Sequence, residues 1–102
     1  MATDAVRPRR LRTTPAMRRL VGETSVLPRQ LVLPLFVTDD SADPRPITSM
    51  PGVVQHTRDS LRKAAVQAVE AGVGGLMLFG VPAVSSRDAV GSGATDPHGV
   101  LN

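Results

Sequence analysis

Two stretches of this chain are apolar with almost no interruption, and one stretch between them is apolar on a single helical stripe. The first run, residues 30–37, reads Gln-Leu-Val-Leu-Pro-Leu-Phe-Val. A run of that length without alternation predicts a strand covered on both faces. Pro34 withholds one ladder donor and argues against a fully paired central strand at that point. The second run, Gly75-Leu76-Met77-Leu78-Phe79-Gly80, predicts another buried strand. Between them, Leu61, Ala64, Ala65, Ala68 and Val69 recur at helical spacing, while Arg62, Lys63, Gln67 and Glu70 lie off that stripe. Thr57 is placed to cap this helix, Asp59 sits in its first turn where the dipole favours an anion, and Gly72 is a natural stop. The stripe is mostly alanine, so the helix must approach its neighbour closely.

Strand, helix and strand in this order predict a βαβ unit with parallel strands and a right-handed crossover. The other signals are shorter. Thr14-Pro15 is a helix start, a hydroxyl at the cap and proline at the first helical position. A short helix through Met17, Leu20 and Val21, ending at Gly22, follows from it. Residues 38–51 form a polar connection with a turn at Met50-Pro51-Gly52-Val53 and room for a small hairpin around Ile47 and Val53-Val54. Residues 83–97 read as a long loop rich in Gly and Ser, and Val100-Leu101-Asn102 as a first helical turn. Two parallel strands that are apolar on both faces cannot be buried by one helix. The pattern therefore predicts the front end of a larger repeated β/α fold, with its remaining cover supplied by further strands and helices.

Composition modifies this picture at three points. Phe36 and Phe79 are the only aromatic residues among 102, so any core rests on small aliphatic side chains. The net charge of +3 is unevenly spread, because seven of the twelve basic residues lie between Arg7 and Arg29. The basic character thus belongs to an N-terminal arm, residues 1–29, and not to the following domain, residues 30–102. Cysteine is absent, which rules out disulfides and thiolate metal sites within this chain and fits a reducing compartment. No apolar run approaches a membrane span. Pro8 and Pro15 break any long amphipathic presequence helix, so the expected location is the cytoplasm.

Candidate chemistry is sparse. Gly91-Ser92-Gly93 lies far from the preceding strand and lacks the third glycine of a dinucleotide fingerprint, so it reads as flexible loop. Asp39, Asp40 and Asp43 lack the ligand spacing of a calcium loop and read as solvated. His56 and His98 have no partners at metal-ligand spacing and read as loop histidines. Ser85, Ser86 and Ser92 have no nucleophile elbow around them. Lys63, the only lysine, falls on the polar side of its helix, whereas a Schiff-base lysine needs a desolvated pocket. No catalytic, cofactor-binding or metal-binding residue is expected within these residues.

The order of segments resembles the N-terminal part of the porphobilinogen synthase family, also called delta-aminolevulinic acid dehydratase. The matching pieces are Arg7-Pro8-Arg9-Arg10-Leu11-Arg12, Glu23-Thr24, and Leu31-Val32-Leu33-Pro34-Leu35-Phe36-Val37. They continue with Ile47-Thr48-Ser49-Met50-Pro51-Gly52-Val53, Leu78-Phe79-Gly80-Val81-Pro82, and Arg87-Asp88 with Gly91-Ser92. Arg87 stands where the family often has lysine, which keeps the charge. The resemblance implies an α/β fold: an extended arm, then the first βαβ part of a (β/α)8 TIM barrel that is incomplete in this chain. It implies a lyase that condenses two molecules of 5-aminolevulinate to porphobilinogen, with loss of two waters, for tetrapyrrole and heme synthesis. It also implies homo-oligomers, octamers in the family, with the arm wrapping a neighbouring subunit. The two Schiff-base lysines lie on late barrel strands, and zinc or magnesium is held by residues beyond these. The isolated chain is then expected to be inactive, with residues 85–92 lying toward the rim where a barrel's active site forms.

From charge alone two other uses remain open. The arm could neutralise phosphates of a nucleic acid, although it offers no aromatic residue to stack on bases. It could equally dock on an acidic protein surface, or the chain could be a paralogue that joins or caps full-length oligomers. The family resemblance favours neither nucleic acid nor membrane as a partner.

Overall fold

A computed structural model describes residues 8–102. Met1 to Arg7, the first part of the expected arm, lie outside the described residues. The elements follow in the order α1 (Pro15–Val21), β1 (Val32–Thr38), β2 (Arg45–Pro46), β3 (Val54–His56), α2 (Arg58–Glu70) and β4 (Gly75–Val81). Short 3-10 turns occur at Arg10–Arg12, Pro28–Gln30, Val84–Ser86 and Ser92–Ala94.

The chemistry at the ends of α1 is the one its sequence predicts. Thr14 Oγ1 accepts the Met17 N–H at 3.1 Å, Pro15 occupies the first helical position, and Gly22 closes the helix. None of its residues is buried. It packs chiefly on the turn at Arg10–Arg12, away from the sheet. The Cα radius of gyration is 22.4 Å, against about 13 Å for a compact chain of 100 residues.

β1 begins two residues later than its apolar run suggests. Pro28 opens a 3-10 turn, and the Gln30 amide oxygen accepts the Leu27 N–H at 2.8 Å, which holds Gln30 in that turn. From Val32 onward β1 pairs with β4 in parallel along seven residues, from Val32↔Gly75 to Thr38↔Val81. The βαβ unit is therefore present. The hairpin is also present: β2 and β3 are antiparallel, and the Ile47 N–H donates to the Val53 carbonyl at 2.9 Å. What the pattern did not reveal is where the hairpin goes. β3 docks parallel to β1 at Phe36 and Val37, giving the sheet order β2-β3-β1-β4. Pro34 lies before that contact, where β1 has a neighbour on one edge only. A proline is tolerated there because a lost donor on the open edge breaks no ladder bond.

α2 starts in a reciprocal cap. The Ser60 N–H donates to Thr57 Oγ1 at 3.2 Å, and the Thr57 N–H donates to Ser60 Oγ at 3.0 Å. Serine here takes the part more often played by Glu or Gln. The helix ends in a Schellman motif: the Gly72 N–H bonds the Val69 carbonyl and the Val73 N–H bonds the Ala68 carbonyl, with Gly72 at φ +81°. Leu61, Ala64 and Ala65 are half-buried and Ala68 is buried, as the stripe requires. Val69 is the exception at 73% exposure. At 100° per residue it stands about 80° around the helix from Leu61, at the margin of the apolar stripe.

The core is small. Among the described residues only Leu35, Val37, Thr38 and Ala68 are buried. Leu35 and Val37 share the sheet face that α2 covers. The opposite face carries Val32, Phe36, Met77 and Phe79, with the two phenyl rings stacked at 5.5 Å between centroids. Val32, Met77 and Phe79 are 44–56% exposed on that face. The expectation of strands covered on both faces is met only at Leu35 and Val37, since Leu33, Leu76 and Leu78 on the α2 side are themselves 37–43% exposed. An apolar face like that of Phe36 and Phe79 is a docking surface or an aggregation liability. The chain alone is expected to enhance 8-anilinonaphthalene-1-sulfonate fluorescence at neutral pH, and replacing Met77 and Phe79 by threonine to reduce that signal. Equal dye fluorescence from the two proteins would show that this face is not what the dye reads.

Candidate functional site

The carboxyl ends of β1 and β4 open on a cleft of about 490 Å³. Asp39 enters it from the end of β1, and Gly80 and Pro82 from the end of β4. Arg87, Asp88, Ser92, His98 and Asn102 line the rest. Residues 85–92 therefore do lie toward this rim.

The loop after β4 is built around one carboxylate. Asp88 Oδ1 accepts the Val90 N–H at 3.2 Å and the Ser92 N–H at 3.0 Å, while Oδ2 accepts the Ser92 hydroxyl. Gly91, at φ +65°, makes the turn that brings Ser92 back. The Ser92 hydroxyl first, and then the Ser92 N–H, hold the Asp88 carboxyl below its ordinary pKa. Ser86 Oγ donates to the Ala83 carbonyl at 2.8 Å, and Arg87 Nε donates to the Pro82 carbonyl at 3.3 Å. The long loop expected over residues 83–97 thus contains two short helical turns tied by local hydrogen bonds. Asp88 stands out in the sequence only within the Arg87-Asp88 piece of the family resemblance. A local signal was present too, since Asp followed by Gly and Ser at three and four residues is suited to an Asx-type turn.

A lowered native pKa makes the charged form of Asp88 the one that supports the loop. That support is complete above the unfolded carboxylate value near 3.9 and is lost as pH falls through the lower native value. Asp88→Ala is expected to speed amide hydrogen exchange at Val90 and Ser92 at neutral pH, with exchange in α2 unchanged. Unaltered exchange at both amides would contradict this assignment.

Residues 98–102 close the cleft from the other side. The expected turn at residues 100–102 is a hydrogen-bonded turn. The Gly99 N–H bonds the Asp96 carbonyl and the Asn102 N–H bonds the Gly99 carbonyl, an i to i+3 pattern that makes tight turns. Val100 and Leu101 sit directly on Gly80, where an added Cβ would lie 2.6 Å from Val100 Cγ1. A side chain at residue 80 would push this segment off the strand end.

The remaining candidates do not converge. Asp40 pairs with Arg45 at 3.6 Å, an exposed contact worth little. Asp39 faces the cleft, and among the described residues no three His, Cys, Asp or Glu side chains gather where they could hold a metal ion. His56 is not a loop residue. It lies in β3, half-buried, with Nδ1 3.0 Å from Ser60 Oγ, and so reinforces the start of α2. The His98 N–H donates to Asp96 Oδ1 at 2.9 Å. Lys63 is exposed on α2, without the desolvation that would make it a nucleophile. Ser85 and Gly93 lie in the short turns Val84–Ser86 and Ser92–Ala94. Asp43 lies in the connection to β2, its N–H donating to Ser41 Oγ at 3.3 Å. What the rim offers is a shaped wall of turns and polar side chains at the strand ends.

Comparison with known proteins accounts for such a half-built rim. The family described as delta-aminolevulinic acid dehydratase matches residues 5–102. The delta-aminolevulinic acid dehydratase of Mycobacterium tuberculosis is 71% identical over 96 residues, covering 94% of this chain and 29% of the relative. That of Streptomyces coelicolor is 61% identical over 95 residues, again 29% of its length. The Toxoplasma gondii enzyme, in a crystal structure with its reaction product porphobilinogen, superposes with a TM-score of 0.86 at 35% identity. It is covered over 27% of its length, and this chain over 94%. The chain therefore spans less than a third of these relatives, and the family's match over residues 5–102 shows that it belongs to the delta-aminolevulinic acid dehydratase family.

Proposed function

We propose that this chain works as the N-terminal part of porphobilinogen synthase, the hydro-lyase that joins two molecules of 5-aminolevulinate and releases two waters to give porphobilinogen. The observation that carries the reading is 71% identity to the Mycobacterium tuberculosis enzyme along 94% of the chain. In this reading residues 30–102 begin the barrel domain, and residues 1–29 are the arm that docks on another subunit. The role of these residues is scaffold. β1 and β4 set two neighbouring positions of the barrel wall, and the Asp88 loop shapes the rim above them. The apolar face with Phe36 and Phe79 is then the barrel interior, covered by strands that this chain does not contain. The Schiff-base lysines and any zinc or magnesium ligands belong to those later strands, and the enzyme would work in the cytoplasm as a homo-oligomer.

The test is a chimera in which this chain replaces the matching segment of the Mycobacterium tuberculosis relative. It is expected to form porphobilinogen from 5-aminolevulinate, while the 102-residue chain alone gives none above buffer. Deleting residues 1–14 from the chimera is expected to lower its assembly state on size exclusion. A folded chimera without turnover, or turnover by the chain alone, would refute the catalytic reading, and unchanged assembly would refute the role of the arm.

A further inference from the structure

We draw no further inference here: the strongest candidate, the cleft between Asp39, Arg87, Ser92 and Asn102 at the carboxyl ends of β1 and β4, belongs to the site already described, and its carboxylates and loop turns come with no second feature that points to a ligand.

Discussion

Replacing Gly74 by alanine is expected to cost the folded chimera about 3 kcal/mol or more, the upper end of what overpacking a tight site does. The chain entering β1, at the 3-10 turn Pro28–Gln30, crosses directly over this glycine. An alanine Cβ would collide with the Arg29 carbonyl oxygen and lie 2.8 Å from its carbon. Both are backbone atoms, so no side-chain rotation relieves the clash. The Gly74 N–H also donates to the Leu31 carbonyl at 3.1 Å, and backing the chains apart breaks that bond. The turn between α2 and β4 and the start of β1 would have to separate together. Gly93→Ala is the matched control, because nothing lies within 4 Å of the Cβ it would add. Urea midpoints of the two variants should differ widely, with Gly93→Ala close to the parent. Equal midpoints would mean that the close crossing of residues 29–31 over Gly74 does not hold in solution.

Val37→Asp is expected to prevent folding altogether. Val37 is 2% exposed, the most buried side chain described, at the centre of the contact between β1, β3 and α2. A carboxylate there loses its hydration, and the half-buried His56 beside it on β3 already has its Nδ1 engaged with Ser60 Oγ. The cost is of the order of 4 kcal/mol or more, comparable with the entire stability of a small domain. Val69→Asp places the same charge on the same layer at a site that is 73% exposed, and should change stability by no more than about 0.5 kcal/mol. Soluble yield and the circular dichroism of the two chimeras separate these outcomes. Comparable loss in both would show that Val69 is covered in the chimera, by this sheet or by a later element.

The two residues also show what could be read in advance. Gly74 follows Gly72 in a sequence that reads simply as a helix stop and a turn. Gly72 does have that role, through its positive φ and the Schellman bonds. Gly74 has a different one, imposed by a carbonyl that arrives from residue 29, and no local pattern can announce a contact across forty-five residues. Val37 was legible as a core position from the apolar run alone. That Val69 would miss the core was not, because the stripe defines a direction on the helix and not the width of the surface beneath it.

By itself the sequence determined the local elements: α1 with its Thr14-Pro15 start, the two long strands, the cap and stop of α2, and the basic arm. These follow from side-chain chemistry and spacing within a few residues, and they hold whatever lies nearby. It also carried, in motif order, enough resemblance to indicate the family. The tertiary structure decided the rest. It placed β3 beside β1 and moved His56 from a loop into the sheet. It set the late start of β1 and organised the rim around Asp88. It laid Val100 and Leu101 on Gly80. Each of these depends on which surfaces meet, and partners chosen by burial and hydrogen-bond satisfaction across the chain are invisible to periodicity.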